Sequence, residues 1–301
     1  MKKGRVKKRR ESSVLSRAPG AKISLAVITV LFFIYSVPLI YSNLWLIVNA
    51  VKGRMEFLLD PISLPKEPFK HLSNFTLIFW HEDFNLGSMF ITTLVYAALT
   101  PTLSLLMHAM IAYAYAKYNY PLKKFVYMCM VIPMFVFLAG TSSTKYKLYI
   151  DLKVYDRLIP FIIINNLGGG GTYFLLFSGM FSNISDSYRE AAMLDGAGRF
   201  RIFITIYMPQ AMGLISAIWI MQFIGAWNAF EVFTMYLPSY QTLATGIYNL
   251  TLTIETGMGE FQKDYPKMFA AMVCSIIPVF ILFVVFQDTI MQMTFGGGVK
   301  G

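Results

Sequence analysis

The residues whose types and spacing carry a chemical pattern lie in one stretch, 186–210. It reads Asp-Ser-Tyr-Arg-Glu-Ala-Ala-Met-Leu-Asp-Gly-Ala-Gly-Arg-Phe-Arg-Ile-Phe-Ile-Thr-Ile-Tyr-Met-Pro-Gln. Residues 187–194 contain good helix formers. Asp195-Gly196 then stops the helix, because glycine readily takes the left-handed conformation that ends one. A second helix begins near Gly198 and runs into an apolar stretch. Ala191 and Ala192 leave one side of the first helix nearly bare, so its backbone can approach another surface closely, with Arg189 and Glu190 beside it as charged handles. That chemistry is docking: a knob shaped to enter a cleft on another protein. Catalytic patterns are missing from the chain. No Gly-x-x-x-x-Gly-Lys-Ser/Thr phosphate loop, no His-Glu-x-x-His and no Gly-x-Ser-x-Gly occurs. Of His71, His81 and His108, only His108 lies in an apolar run. It has no second ionisable group there for a proton relay, so a hydrogen-bonded packing role is expected. Cys129 and Cys274 sit in apolar runs and read as packing residues, with no zinc or disulfide spacing.

The elements that position the knob follow from composition. Hydrophobic residues make up 56% of the 301 and charged residues 14%, where a soluble domain carries about 25% charged residues. Mean hydropathy is +0.55. These values exclude a soluble enzyme, a disordered chain and a secreted disulfide scaffold. Six runs without Lys, Arg, Asp or Glu, at 23–51, 84–116, 125–144, 158–185, 202–230 and 268–287, are each long enough to cross a bilayer core of about 30 Å. An all-α polytopic membrane protein with six transmembrane helices is expected. Residues 232–254 are also uncharged but rich in Ser, Thr, Asn and Gln, and read as an external loop or a re-entrant segment.

Nine of the 26 Lys and Arg lie in the first 22 residues. Placing that end in the cytoplasm puts the 186–201 link inside and leaves both termini cytoplasmic. A basic tail of this kind sets topology and touches anionic membrane lipid; nucleic-acid binding is not expected of it. The apolar run behind it exceeds the 7–15 residues of a signal peptide, so an uncleaved first span is expected. The chain divides into a tail at 1–22, one membrane domain at 23–290 and a cytoplasmic C-terminal tail at 291–301. Prolines in the external segment 52–83 forbid a long helix there. Pro38, Pro101, Pro133, Pro160 and Pro278 fall within spans and predict kinks. Gly168-Gly169-Gly170-Gly171 predicts either a broken helix or a close helix–helix contact.

The pattern Glu-Ala-Ala, three residues, Gly, nine residues, Ile, one residue, Leu-Pro is the signature of permease subunits of bacterial ABC importers. Glu190, Ala191, Ala192, Gly196, Ile206 and Pro209 match it, with Met208 in place of the usual Leu. The longer form with Asp195 and Ala197 resembles the carbohydrate, MalG-type branch. Three further segments agree: Ile62-Ser63-Leu64-Pro65, Ala226-Trp227-Asn228-Ala229-Phe230, and the terminal Gly296-Gly297-Gly298-Val299-Lys300-Gly301. The resemblance spans about residues 20–301.

The resemblance implies a type I ABC importer permease fold and a sugar or oligosaccharide substrate. It also implies a second, MalF-like permease, two ATP-binding subunits and an extracytoplasmic solute-binding protein. The chain itself then carries no catalytic residue, metal or cofactor; ATP and Mg belong to the ATPase. Arg189, Glu190, Ala191, Ala192, Asp195 and Gly196 form the coupling helix, and Val299, Lys300 and Gly301 are tail contacts to the ATPase. Trp227, Asn228 and Glu231 offer a sugar an aromatic face and hydrogen-bonding groups; anchoring of Trp227 at the membrane edge is the competing reading. Gln222 and Asn165 are further polar candidates for the path. A non-sugar or acidic glycan-derived solute is the alternative cargo. A secondary transporter would need paired intramembrane ions or inverted repeats, and neither is visible.

Overall fold

The computed structural model describes residues 19–80, 84–135, 141–168, 170–256 and 263–296, with side chains from residue 23 to residue 287. The basic tail up to residue 18 and the tail contacts Val299, Lys300 and Gly301 lie outside the described residues. Every described element is helical. Among the described residues, three helices are long and apolar enough to cross a membrane alone. These are α1 (Pro19–Ala50), α4 (Leu86–Lys117) and, numbered last in the chain, α15 (Tyr265–Gly296). Each keeps a proline inside it, Pro38, Pro101 and Pro278 respectively, without breaking.

Between α1 and α4 the chain forms the turn-rich segment expected from its prolines, its described residues carrying the short helices α2 (Arg54–Leu59) and α3 (Ser73–Phe79) and a 3₁₀ turn at Lys70–Leu72. Asn74 is buried and donates to the carbonyls of Ala50 and Lys52 at 2.9 and 3.0 Å, which satisfies groups left open at the end of α1. Lys52 is itself fully buried and donates to the Asp60 carbonyl at 3.0 Å. The N–H groups of Ser63 and Ile62 hold the Asp60 carboxyl below the ordinary carboxylate range.

The remaining apolar runs are broken. The stretch 125–144 comprises α5 (Lys123–Val131), a tight turn at Pro133 and, beyond residues outside the description, the start of the polar helix α6 (Thr141–Asp151). The stretch 158–185 comprises α7 (Leu158–Asn166) and α8 (Thr172–Ser182). Pro160 lies in the first turn of α7, where its missing N–H costs nothing. The glycine run opens the gap between α7 and α8, so the broken helix is what forms. The close-contact expectation holds as well, against a different element. A β-carbon on Gly170 would stand 3.0 Å from the Met130 carbonyl oxygen of α5, and the Gly171 N–H, at φ +83°, donates to that carbonyl at 2.8 Å. His108 closes the joint from α4, with Nε2 at 3.1 Å from the Gly170 carbonyl and Nδ1 at 2.6 Å from the Ser104 carbonyl. It is buried, in the packing role expected of it.

After α9 (Asp186–Leu194) the chain does not run straight into the fifth span. It passes through α10 (Arg199–Ile202), a widened π-turn at Phe203–Tyr207 and α11 (Met208–Gln210). It then bends by 79° into α12 (Met212–Trp227). Pro209 has no N–H to return to the preceding turn, and the π-turn has already disturbed the register there. The segment 232–254 is not a loop. It contains α13 (Glu231–Tyr236) and the 14-residue α14 (Leu243–Thr256). Its polar groups are met locally. Thr242 and Thr245 cap each other, and the Leu243 N–H donates to Thr93 Oγ1 at 2.9 Å. A glycine at 246 lets α14 lie against α4, where a β-carbon would collide with the Met89 sulfur.

The core is centred on α4, which packs most extensively against α8 and α12. Ala97, Ala109 and Ala112 on α4 are completely buried. Small side chains let neighbouring helices close in, which matters where lipid is as apolar as the side chains. The aromatic rings of Phe174, Phe177, Phe181, Phe203 and Tyr207 fill the half of the core nearest α9.

Candidate functional site

The knob at α9 stands at the C-terminal end of α4 and is tied down by charges that arrive from that helix. Ser185 caps α9, accepting from the Ser187 N–H. Lys117, the last residue of α4, is only 4% exposed in its side chain. It donates to the Ile184 carbonyl at 2.6 Å and pairs with Asp186 at 3.1 Å. Arg189 reaches back to the Lys117 carbonyl at 2.6 Å, and the guanidinium groups of Arg189 and Arg199 both lie over the Tyr118 ring. Charge-assisted bonds to a partly buried backbone are the stronger kind, each worth about 1.5–3 kcal/mol.

The far end of α9 closes in a Schellman motif. The Ala197 N–H donates to the Ala192 carbonyl and the Gly196 N–H to that of Met193, with Gly196 at φ +78°. A β-carbon at Gly196 would meet open space, so glycine is required there by backbone conformation alone. Ala192 and Ala197 face the core. Glu190, Ala191 and Asp195 face outward, together with Tyr188, Met193 and Leu194, the last of which is 90% exposed. Phe200, on α10, adds a further exposed ring.

Sequence spacing therefore located the knob and its stop signal, with one correction. Arg189 is not an outward handle; it is a strut that fixes α9 to α4. Lys117, Tyr118 and Arg199 were not singled out, since nothing in a linear pattern ties residue 117 to residue 186. Leu194 was legible: it lies one turn beyond Glu190 and Ala191 on the same helix face.

The five residues proposed for a sugar path do not converge. Trp227 is 3% exposed, stacked on Phe223 and set edge-on to Phe90. Its Nε1 donates to the Ser275 carbonyl at 3.2 Å. It packs between α12 and α15. Trp227 and Asn228 border a cavity of about 280 Å³ whose other walls are mostly aliphatic; Glu231, Gln222 and Asn165 do not line it. Glu231 is exposed at the start of α13. Asn165 is exposed and accepts from the Tyr149 hydroxyl at 3.0 Å. Gln222 is half-buried, and its Nε2 has no partner among the described residues. Among those residues no group of His, Cys, Asp and Glu is arranged to hold a metal.

Residues 102–293 match the family described as binding-protein-dependent transport system inner membrane component. The chain is 28% identical over 279 residues to the diacetylchitobiose uptake system permease protein NgcG of Streptomyces coelicolor, covering 88% of this chain and 85% of that one. It is 24% identical to the arabinooligosaccharides transport system permease protein AraQ of Bacillus subtilis, over 96% of this chain and all of the relative. The fold matches a chain of a bacterial ABC transporter involved in the import of the acidic polysaccharide alginate. There the TM-score is 0.73 and the identity 21%, over 90% of this chain and 98% of the other. A chain of the alginate transporter in complex with its alginate pentasaccharide-bound periplasmic protein matches at TM-score 0.56 and 15% identity. The family match over most of its length identifies this chain as a binding-protein-dependent transport system inner membrane component: a non-catalytic, multi-pass permease subunit of an ABC importer, without a cofactor of its own, whose ATP is used by a separate ATPase subunit.

Proposed function

We propose that the chain forms half of the translocation path of a sugar or oligosaccharide importer, paired with a second permease and driven by two ATPase subunits. Six membrane crossings are formed by α1, α4, the α5–α6 region, α7 with α8, the bent pair ending in α12, and α15. Both termini and α9 face the cytoplasm, as the Lys and Arg distribution favours. The exposed face of α9 enters a cleft of an ATPase subunit. One observation carries this reading: α9 is locked to α4 underneath by Lys117 and Arg189, while Leu194 stands 90% exposed on top. Only a helix fixed in that way can pass rigid-body motion to α4. Closure of the ATPase pair by ATP draws the two permease knobs together and favours the outward-open cavity; hydrolysis returns the inward-open state. Swinging such an equilibrium from 1:99 to 99:1 takes about 5.5 kcal/mol of differential binding, carried by this contact and its counterpart on the second permease.

The sugar assignment is supported by relatives described as diacetylchitobiose, arabinooligosaccharide and melibiose/raffinose/stachyose permeases. An acidic glycan is the second reading, favoured by the exposed Lys145, Lys147, Lys153 and Arg157 along α6 and the loop after it. Uptake by the reconstituted four-subunit assembly with its solute-binding protein separates the readings. ATP-dependent accumulation of neutral oligosaccharides is expected. Uptake without ATP, or without the binding protein, would refute the importer mechanism.

A further inference from the structure

The end of the molecule opposite α9 holds a pocket that none of the five path candidates lines. It lies between α13 and α14 and measures about 180 Å³, room for one sugar ring. Its apolar walls include Phe230 and Tyr248, whose rings meet edge to face at 4.7 Å, with Tyr240 beside them. Its polar rim is formed by Thr234 and by the amides of Gln241 and Asn249. Both amides are exposed, and among the described residues neither side chain is spent on an internal hydrogen bond. No charged residue lines the pocket.

The frame around it is fixed. Asp156, held at φ +54°, accepts the Ser239 N–H at 2.9 Å and the Ser239 hydroxyl at 2.5 Å, and its own N–H donates to the Tyr236 carbonyl. The start of α14 is set by the Thr242–Thr245 pair and by Thr93. Rigid aromatic walls with a few free, neutral donors and acceptors suit a ligand that is apolar on its faces and hydroxylated at its edges. A glycosyl ring without a carboxylate has that character. Free amides on a preformed frame also spare the ligand the cost of ordering them.

We infer that this pocket is a sugar-contacting subsite of the permease, taking one neutral glycosyl ring through its aromatic walls and the Gln241 and Asn249 amides. The inference rests on the sugar-importer reading and sharpens it. In the proposed topology this end faces the delivering protein, so the ring is met at the entrance of the path. The test uses the whole assembly in vesicles, offered a mixed library of neutral and uronic-acid oligosaccharides, with the lumen read by mass spectrometry. Gln241→Ala and Asn249→Ala should each raise the half-saturating concentration of neutral sugar about tenfold. Half-saturation should move further than the maximal rate, and assembly with the ATPase subunits, read by co-purification, should be retained. Thr234→Trp, which fills the pocket, should produce a larger rise. Unchanged half-saturation in both amide variants would overturn the subsite whatever Thr234→Trp does. Wild-type uptake confined to uronic-acid oligosaccharides would overturn it and leave the importer intact. Uptake of no oligosaccharide at all would overturn the sugar reading itself.

Discussion

The two ends of α4 distribute polarity in opposite ways. At the α9 end, Lys117, Asp186 and Arg189 bind one another and the backbone, and the outer face sets Ala191, Met193 and Leu194 among Tyr188, Glu190 and Asp195. At the α14 end, aromatic rings form fixed walls and uncharged amides are left outside. A surface that must push on a protein partner needs rigidity below and a bare contact above. A surface that meets a hydroxylated solute needs free donors and acceptors on a rigid frame. On the proposed reading, the contrast separates mechanical from chemical recognition within one membrane domain.

The sharpest way to break it is Gly196→Val. A β-branched residue at φ +78° costs about 1–2 kcal/mol from backbone conformation alone, and it distorts the motif that ends α9. Uptake should fall to near background, with the subunit still inserted and assembled by immunodetection in membranes. Normal uptake would show that the end of α9 bears no coupling load. Next comes Lys117→Met, which leaves Asp186 with only its longer contact to Arg189 and the Ile184 carbonyl without its donor. It should cost about 1–3 kcal/mol locally and reduce sugar-stimulated ATP hydrolysis severalfold, with half-saturation unchanged. A change in half-saturation instead would mean that the two ends are not separable. The smallest effect is expected at the other end. Trp227→Phe keeps the stacked ring and loses the bond to Ser275, worth about 1 kcal/mol. Thermal stability of the detergent-solubilised complex should drop slightly and sugar selectivity should not move. A selectivity change would return Trp227 to the path.

Legibility in the sequence tracked how local the determining physics is. The helices α1, α4 and α15 were readable because an unbroken apolar run has one outcome in a bilayer. The stop at Gly196 was readable because a Schellman motif is written in adjacent residues. The 79° bend after Pro209 was not, since the π-turn that accompanies the proline leaves no compositional mark. The helix α14 was hidden by its threonines, which resemble a loop until Thr242, Thr245 and Thr93 are seen to satisfy the backbone. The inward bonds of Arg189 and Trp227 were illegible for a shared reason. A long side chain with donors reads the same whether it points to a partner or to a neighbouring helix, and only Lys117 and Ser275, distant in sequence, decide between them.

The central claim, that α9 is a rigid plug seated in an ATPase cleft, is tested most directly by crosslinking at residue 194. With Leu194→Cys in the assembled transporter, a short thiol-reactive crosslinker should join this subunit to the ATPase subunit in high yield, through both the ATP-bound and ATP-free states. No crosslink to the ATPase, together with labelling of the introduced thiol by a membrane-impermeant reagent from the outer face, would contradict the account.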